Sequence, residues 1–307
     1  MKFFLSGGLK EWLIRIRFIK AFHLWESFKE QVLYKNRFIV NHEVLEYVRQ
    51  FAEKNSILII EETILYRARI YKGVVSFLRY LYGEQENNEK NDIDKLSFDR
   101  YKHEISVKQQ TGFWGYNSED SFVPPDNNIN DGRANPSFIK YLYTAEDPYT
   151  ALVETRPYLN SNVSIAEIKV NEPLRIADFS YESYKNYEGF EKDLMYFIMD
   201  DFSKPSNADL KDYIPIQYIA EFVKPLGFDG IKFNSSLHWI GKNVTIFSYE
   251  KCSPIGSKLY KINDICFEVK GLAPINTGDL THWKLEPYRE ESIEETLTLH
   301  LTHCSRN

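Results

Sequence analysis

Side chains able to do chemistry gather in three stretches of this chain. Arg67 and Arg69 alternate along residues 64–71, where Ile64, Tyr66, Ala68 and Ile70 share one face of an expected strand and the two arginines share the other. Such a pair is either a solvated polar face or a grip on phosphate, because a guanidinium offers a planar two-pronged fork that keeps its charge. The second stretch is Gly132-Arg133-Ala134-Asn135-Pro136, then Tyr141–Pro148 and Ala151–Glu154. It puts a turn, a short strand, a helix start and the Glu154 carboxylate into a small span, the layout of a nucleotide-handling pocket. Glu154 follows the apolar Ala151, Leu152 and Val153, so it lies either at the edge of a buried face or on the solvent side. The third stretch, residues 234–242, collects Ser235, Ser236, His238 and Trp239 between two expected strands, which ordinary loop polarity also explains.

The elements that must position these groups read as an α+β succession. Residues 9–38 are loosely helical, and 41–54 carry Val44, Leu45, Val48, Phe51 and Ala52 at helical spacing; their basic flavour fits a partner surface or, better, a solvated face packed on the main domain. Strands are expected at 57–60, 64–71, 139–144, 163–170, 174–179, 228–233 and 243–249. Asp147 is a good N-cap with Pro148 at the first helical position, and that helix stops at Arg156-Pro157. Further helices are expected at 189–202 and from Pro215 to Gly227, the latter shortened by Pro225. Residues 83–95 read as a polar insertion, and 258–270 as a hairpin turning at Asn263-Asp264. Gly112-Phe113-Trp114-Gly115-Tyr116 is either a packed corner or an aromatic lid for a flat ring.

Composition narrows the function classes. With 307 residues and 43% hydrophobic content the chain can bury a sizeable core, and a net charge of −6 argues against a protein that binds nucleic-acid backbone by counterion release. Three cysteines without paired spacing give neither a disulfide framework nor a zinc cluster, which fits a reducing cytoplasm. Lys10, Arg15, Arg17 and Lys20 interrupt the apolar N-terminal pieces, so neither a signal peptide nor a membrane span is expected. His300, His303 and Cys304 lack a fourth metal ligand and read as tail composition. No phosphate-binding Gly-rich loop, no Gly-x-Ser-x-Gly elbow and no internal repeat is present.

Taken in order, Leu65-Tyr66-Arg67, Gly132–Pro136, Tyr141–Glu146, Ala151–Glu154, Leu226–Ser235 and Gly241–Phe247 resemble the RES domain, over about residues 61–250. That family is named for an Arg, a Glu and a Ser. The resemblance implies an ADP-ribosyltransferase-like split mixed β-sheet with flanking helices, and an enzyme that degrades NAD. It matches Arg67 to the Arg, Glu154 to the Glu and Ser235 to the Ser, with Ser236 a rival one place on; Tyr143 and Asn243 match further positions. Ala134 stands where an aromatic is common, and residues 83–108 have no clear counterpart.

In those roles Glu154 would stabilise positive charge on the ribose, and Arg67 would neutralise the pyrophosphate with help from Arg69 or Arg133. Tyr143 would stack on nicotinamide, and Ser235 would hydrogen-bond its amide or the ribose. The resemblance implies NAD as substrate with phosphate or water as acceptor and no metal, a toxin's role, and a helix-turn-helix antitoxin as partner. A mono-ADP-ribosyltransferase acting on protein and a silent nucleotide- or partner-binding module are the alternatives. The expected organisation is a helical extension (1–60), a catalytic domain (61–272) and a tail (273–307).

Overall fold

A computed structural model describes residues 9–38, 40–73, 92–125, 129–185, 187–204 and 210–265. The contact pattern divides the chain into Met1–Asn263 and Asp264–Asn307, and only Asp264 and Ile265 of the second unit are described. His300, His303, Cys304 and the tail 273–307 therefore lie outside the described residues, as does most of the polar stretch 83–95.

Eight strands form one sheet: β1 (Ser56–Ile59), β2 (Ile64–Ile70), β3 (Leu142–Ala145), β4 (Asn162–Val170), β5 (Leu174–Phe179), β6 (Gly230–Asn234), β7 (Lys242–Ile246) and β8 (Cys252–Lys261). Their order is β1-β5-β6-β7-β3-β2-β4-β8, and every pairing is antiparallel except β5 with β6. Between those two parallel strands come α5 (Gly189–Ser203) and α6 (Ile214–Val223), since a parallel pair needs a long crossover. The sheet is mixed and flanked by helices, an α+β fold as the sequence implied.

One join is thin. β2 and β3 share a single residue pair, Tyr66 with Ala145, whereas β2 pairs with β4 along its whole length. The sheet is thus split into a five-strand and a three-strand part that separate beyond that pair.

Alternation along the strands sends side chains into two cores. On one face Ala177, Phe179, Ile231 and Phe233 pack with α5, α6 and two N-terminal helices, α1 (Leu9–Glu30) and α2 (Val44–Lys54). Trp25 and Phe28 of α1 and Phe51 of α2 are at most 1% exposed there. Trp25 Nε1 donates to Asp201 Oδ2 at 2.6 Å, and Arg17 pairs with Asp193 at 2.6 Å, so α1 is pinned along α5. The opposite face buries Leu65, Leu142, Ile168, Ile176, Val244 and Ile246.

In three stretches the local structure adds to the sequence pattern. Residues 92–111, which on sequence fall in the insertion and the unmatched loop, form a helix, α3 (Asp92–Thr111). Residues 258–261, the expected first arm of the hairpin, are the end of β8, which starts at Cys252 and pairs with β4 through a register shift at Glu167/Ile168; residues 266–270, its expected second arm, lie outside the described residues. The Gly112–Tyr116 corner is tied down rather than poised over a ring: Phe113 bridges to Ser257, Gly115 N donates to Ser257 Oγ at 2.9 Å, and Tyr116 N donates to Ser164 Oγ at 2.9 Å. Among the described residues no helix is long and apolar enough to cross a membrane.

Candidate active site

The carboxylate is placed by a short helix, α4 (Pro148–Glu154), which packs on β2, β3, β4 and β7. Asp147 caps it from extended backbone, its Oδ1 accepting the Thr150 N–H at 2.8 Å, and Pro148 begins the first turn where its missing N–H is no loss. Glu154 is the last helical residue. A negative charge at a helix C-terminus is disfavoured by the peptide dipoles, so it needs donors. It has two: Ser235 Oγ and Asn243 Nδ2 both donate to Oε1 at 2.7 Å. Those residues are 5% and 8% exposed, so the bonds lie out of bulk water, while Oε2 accepts no hydrogen bond among the described residues. Ser235 and Asn243 stand 81 and 89 positions after Glu154, and meet it because β6 and β7 deliver them to the same lip of the sheet.

Arg67 sits where the sheet splits. The pairs Tyr66 with Ala145 and Ala145 with Asn243 put those side chains on the Glu154 side, so Arg67, one residue on, leaves β2 from the other face. Its guanidinium reaches into the parting between β2 and β3, where Nη1 donates to the Tyr143 backbone oxygen at 3.2 Å. Nε is buried and bonds to nothing among the described residues. Burial, with the neighbouring charge of Arg69 second, pushes the guanidinium down to about 10, so it remains a cation at neutral pH with no carboxylate paired to it among the described residues. A buried cation without a counter-charge is costly unless an anion completes it.

Residues 103–258, just over half of the chain, match the family model described as RES domain. The chain belongs to the RES domain family. The match spans Glu154, Ser235, Ser236, Asn243, Arg133 and Tyr143; Arg67 and Arg69 precede it, and it opens inside α3, so residues 103–108 fall within the family after all. Among solved structures, a crystal structure of the M. tuberculosis MbcT–MbcA toxin–antitoxin complex is similar at 12% identity, covering 70% of this chain and 92% of that one with a TM-score of 0.33, a likeness that decides nothing about this chain. No curated protein matches it.

The remaining positions read from the RES resemblance divide. Tyr143 has its hydroxyl engaged: it donates to Asn135 Oδ1 at 2.7 Å and accepts the Ala134 N–H at 2.9 Å. Burial raises the phenol far above its ordinary range, keeping it neutral. Arg133 turns to α5, its Nη1 donating to the Phe202 backbone oxygen at 3.0 Å, with the guanidinium 5.6 Å from the centre of the Phe233 ring. Arg69 donates to the Asp120 backbone oxygen and lies 5.1 Å from the Tyr116 ring centre. Of the two serines, Ser235 reaches Glu154; Ser236 Oγ is buried with no hydrogen-bond partner among the described residues. Glu154, Ser235 and Asn243 are in direct contact, Arg67 and Tyr143 meet at the split, and Arg69 and Arg133 are each fastened elsewhere.

Two structural supports of these groups are not legible as contacts in the sequence. Asn135 is 4% exposed and places Nδ2 within 3.1 Å of three backbone oxygens, those of Asn130, Pro136 and Ile139, which locks the turn above Tyr143. Gly132 belongs to the same lock, because a Cβ there would fall 2.6 Å from Tyr143 Oη. The motif Gly132–Pro136 is visible as a motif, but its charged member, Arg133, is the conspicuous one, and Asn135 is the residue that holds the turn. His238 and Thr150 are the other pair. Among the described residues no group of three His, Cys, Asp or Glu side chains could hold a metal ion.

Proposed function

We propose that this chain cleaves the nicotinamide–ribose bond of NAD and passes ADP-ribose to inorganic phosphate or water, acting in the cytoplasm as a toxin. The observation that carries this reading is the Glu154 carboxylate, one oxygen clamped by Ser235 and Asn243 and the other open. When the bond breaks, nicotinamide leaves with the electron pair and positive charge builds on the ribose; a fixed carboxylate beside that ring stabilises the charge without having to reorganise. The acceptor then adds to the anomeric carbon and gives up its proton. Membership of the RES domain family supports the same reading.

The buried Arg67 guanidinium, with Nε unpartnered among the described residues, suits a pyrophosphate, and Arg69 and Arg133 add positive charge at greater remove. Tyr143 serves the nicotinamide end, Ser235 with Ser236 and Asn243 the ribose side. The chemistry requires no metal. The catalytic unit is residues 61–272, between a helical extension (1–60) and a tail (273–307), and the partner is a helix-turn-helix antitoxin.

Incubating purified protein with NAD, with and without phosphate, and identifying products by NMR tests this. Nicotinamide together with ADP-ribose phosphorylated at its anomeric carbon means phosphorolysis, and free ADP-ribose means hydrolysis. ADP-ribose found attached to protein would make the chain a mono-ADP-ribosyltransferase. Absence of nicotinamide would overturn the reading in favour of a silent binding module, and full activity in Glu154→Ala and Arg67→Ala would overturn it by removing the site on which it rests.

A further inference from the structure

The loop Ser235–Gly241 is fastened to α4 at both ends of that helix. At the C-terminal end Ser235 Oγ donates to Glu154 Oε1 at 2.7 Å. At the N-terminal end His238 Nδ1 lies 2.7 Å from Thr150 Oγ1, and Thr150 Oγ1 lies 2.5 Å from Asp147 Oδ2. The Tyr149 ring meets the imidazole edge-on, with centres 4.9 Å apart. Gly241 closes the loop: its N–H donates to the His238 oxygen at 2.8 Å, and its own oxygen accepts the Ser235 N–H at 2.9 Å. Only a glycine fits there, since a Cβ would collide with Thr150 Oγ1 and stand 2.7 Å from His238 Nδ1.

Donor and acceptor accounting fixes the protons in this chain of groups. A carboxylate only accepts, so the Thr150 hydroxyl gives its proton to Asp147 and turns a lone pair toward His238. The imidazole must then carry a proton on Nδ1 and donate it. Ser235 is constrained in the same way. Its Oγ accepts the backbone N–H groups of Leu237 and His238, both at 3.1 Å, which leaves its single proton for Glu154.

We propose that His238 is a positioning residue of the NAD-cleaving site, acting through Ser235. Its Nδ1–H, anchored on Thr150 and Asp147, holds the loop so that the Leu237 and His238 amides aim at Ser235 Oγ and the Ser235 proton aims at Glu154. His238 itself touches no reacting atom. This inference rests on the reading of Glu154 as the carboxylate that faces the ribose. Without the anchor, the loop leaves α4 and Glu154 keeps only its Asn243 donor, which weakens charge stabilisation in the transition state more than ground-state binding.

The test uses the full chain and four variants: His238→Asn, which keeps an N–H donor close to the Nδ1 position, His238→Gln, which displaces it, Thr150→Val, and the His238→Gln/Thr150→Val double variant. Nicotinamide release gives kcat and KM separately. Hydrogen exchange of the backbone N–H groups at positions 237 and 238, present in the parent and in every variant, reports the loop without any turnover. His238→Gln and Thr150→Val are each expected to lower kcat about tenfold with KM moving less than about threefold, and the double variant to be no worse than the poorer single. His238→Asn stays within about threefold of the parent, and loop exchange accelerates in His238→Gln and Thr150→Val but not in His238→Asn. Unchanged exchange in His238→Gln and Thr150→Val overturns the proposal, as does a His238→Asn variant as impaired as His238→Gln, or a loss confined to KM. If the parent releases no nicotinamide, the NAD reading fails by itself, and the exchange measurements still decide whether His238 holds the loop.

Discussion

The Glu154 carboxylate and the Arg67 guanidinium are treated in opposite ways by the same fold. The carboxylate has two buried donors within 2.7 Å and is set before any substrate arrives. Among the described residues the guanidinium has one backbone acceptor at 3.2 Å, a buried Nε with none, and a second arginine two residues away. The first arrangement is finished and the second is incomplete. A group that must stabilise charge only in the transition state gains from being fixed in advance, whereas a group that binds an anion can carry its cost until the anion comes.

Breaking the finished side should have the largest effect. Glu154→Gln keeps the shape and removes the charge; kcat for nicotinamide release is expected to fall about 100- to 1,000-fold, with the thermal midpoint close to the parent's. On the incomplete side the two readouts should part. Arg67→Met is expected to weaken NAD binding roughly 10- to 100-fold by calorimetry, yet to leave the unliganded protein as stable as the parent or more so. Inorganic pyrophosphate should raise the parent's melting temperature and not that of Arg67→Met. A drop in unliganded stability would show that Arg67 is a structural strut and would erase the contrast.

The same contrast predicts a pH effect. Because the folded Arg67 gives up its proton near 10, below its unfolded value, the folded state binds fewer protons than the unfolded one above that pH. Its burden is full at neutral pH and is relieved as pH rises through about 10, so parent and Arg67→Met stabilities should converge above that point in denaturant titrations. The smallest expected change is Asp147→Ala, which removes the α4 cap and should cost about 1 kcal/mol of stability by chemical denaturation.

Local rules carried much of this into view. The Asp147-Pro148 start of α4, the strand Leu174–Phe179 and the stop of the helix run at Gly227, whose φ is +86°, all follow from turn chemistry and spacing within a few residues. The helix Asp92–Thr111 did not, because its apolar residues form no continuous stripe. Nor did the start of β8, where Pro254 and Gly256 interrupt a strand whose pairing is supplied by β4. At the site, the sequence offered the order Arg67, Glu154, Ser235, but not the contacts. Glu154 on its own pattern suited the surface equally well, and what lifts it from there is register: Asn243 stands opposite Ala145, and Ser235 follows the last residue of β6. Similarly, nothing local could say that Arg133 turns to Phe202, 69 positions on, since that depends on where a distant helix ends.

The single Tyr66–Ala145 pair makes the line between β2 and β3 a seam rather than a weld. Elsewhere the backbone ladder shares any load across several rungs; here a single residue pair carries it. A pyrophosphate gripped at Arg67 would lie across that seam as a stitch, so substrate would stiffen the sheet at its weakest row and product would have to loosen it again to leave.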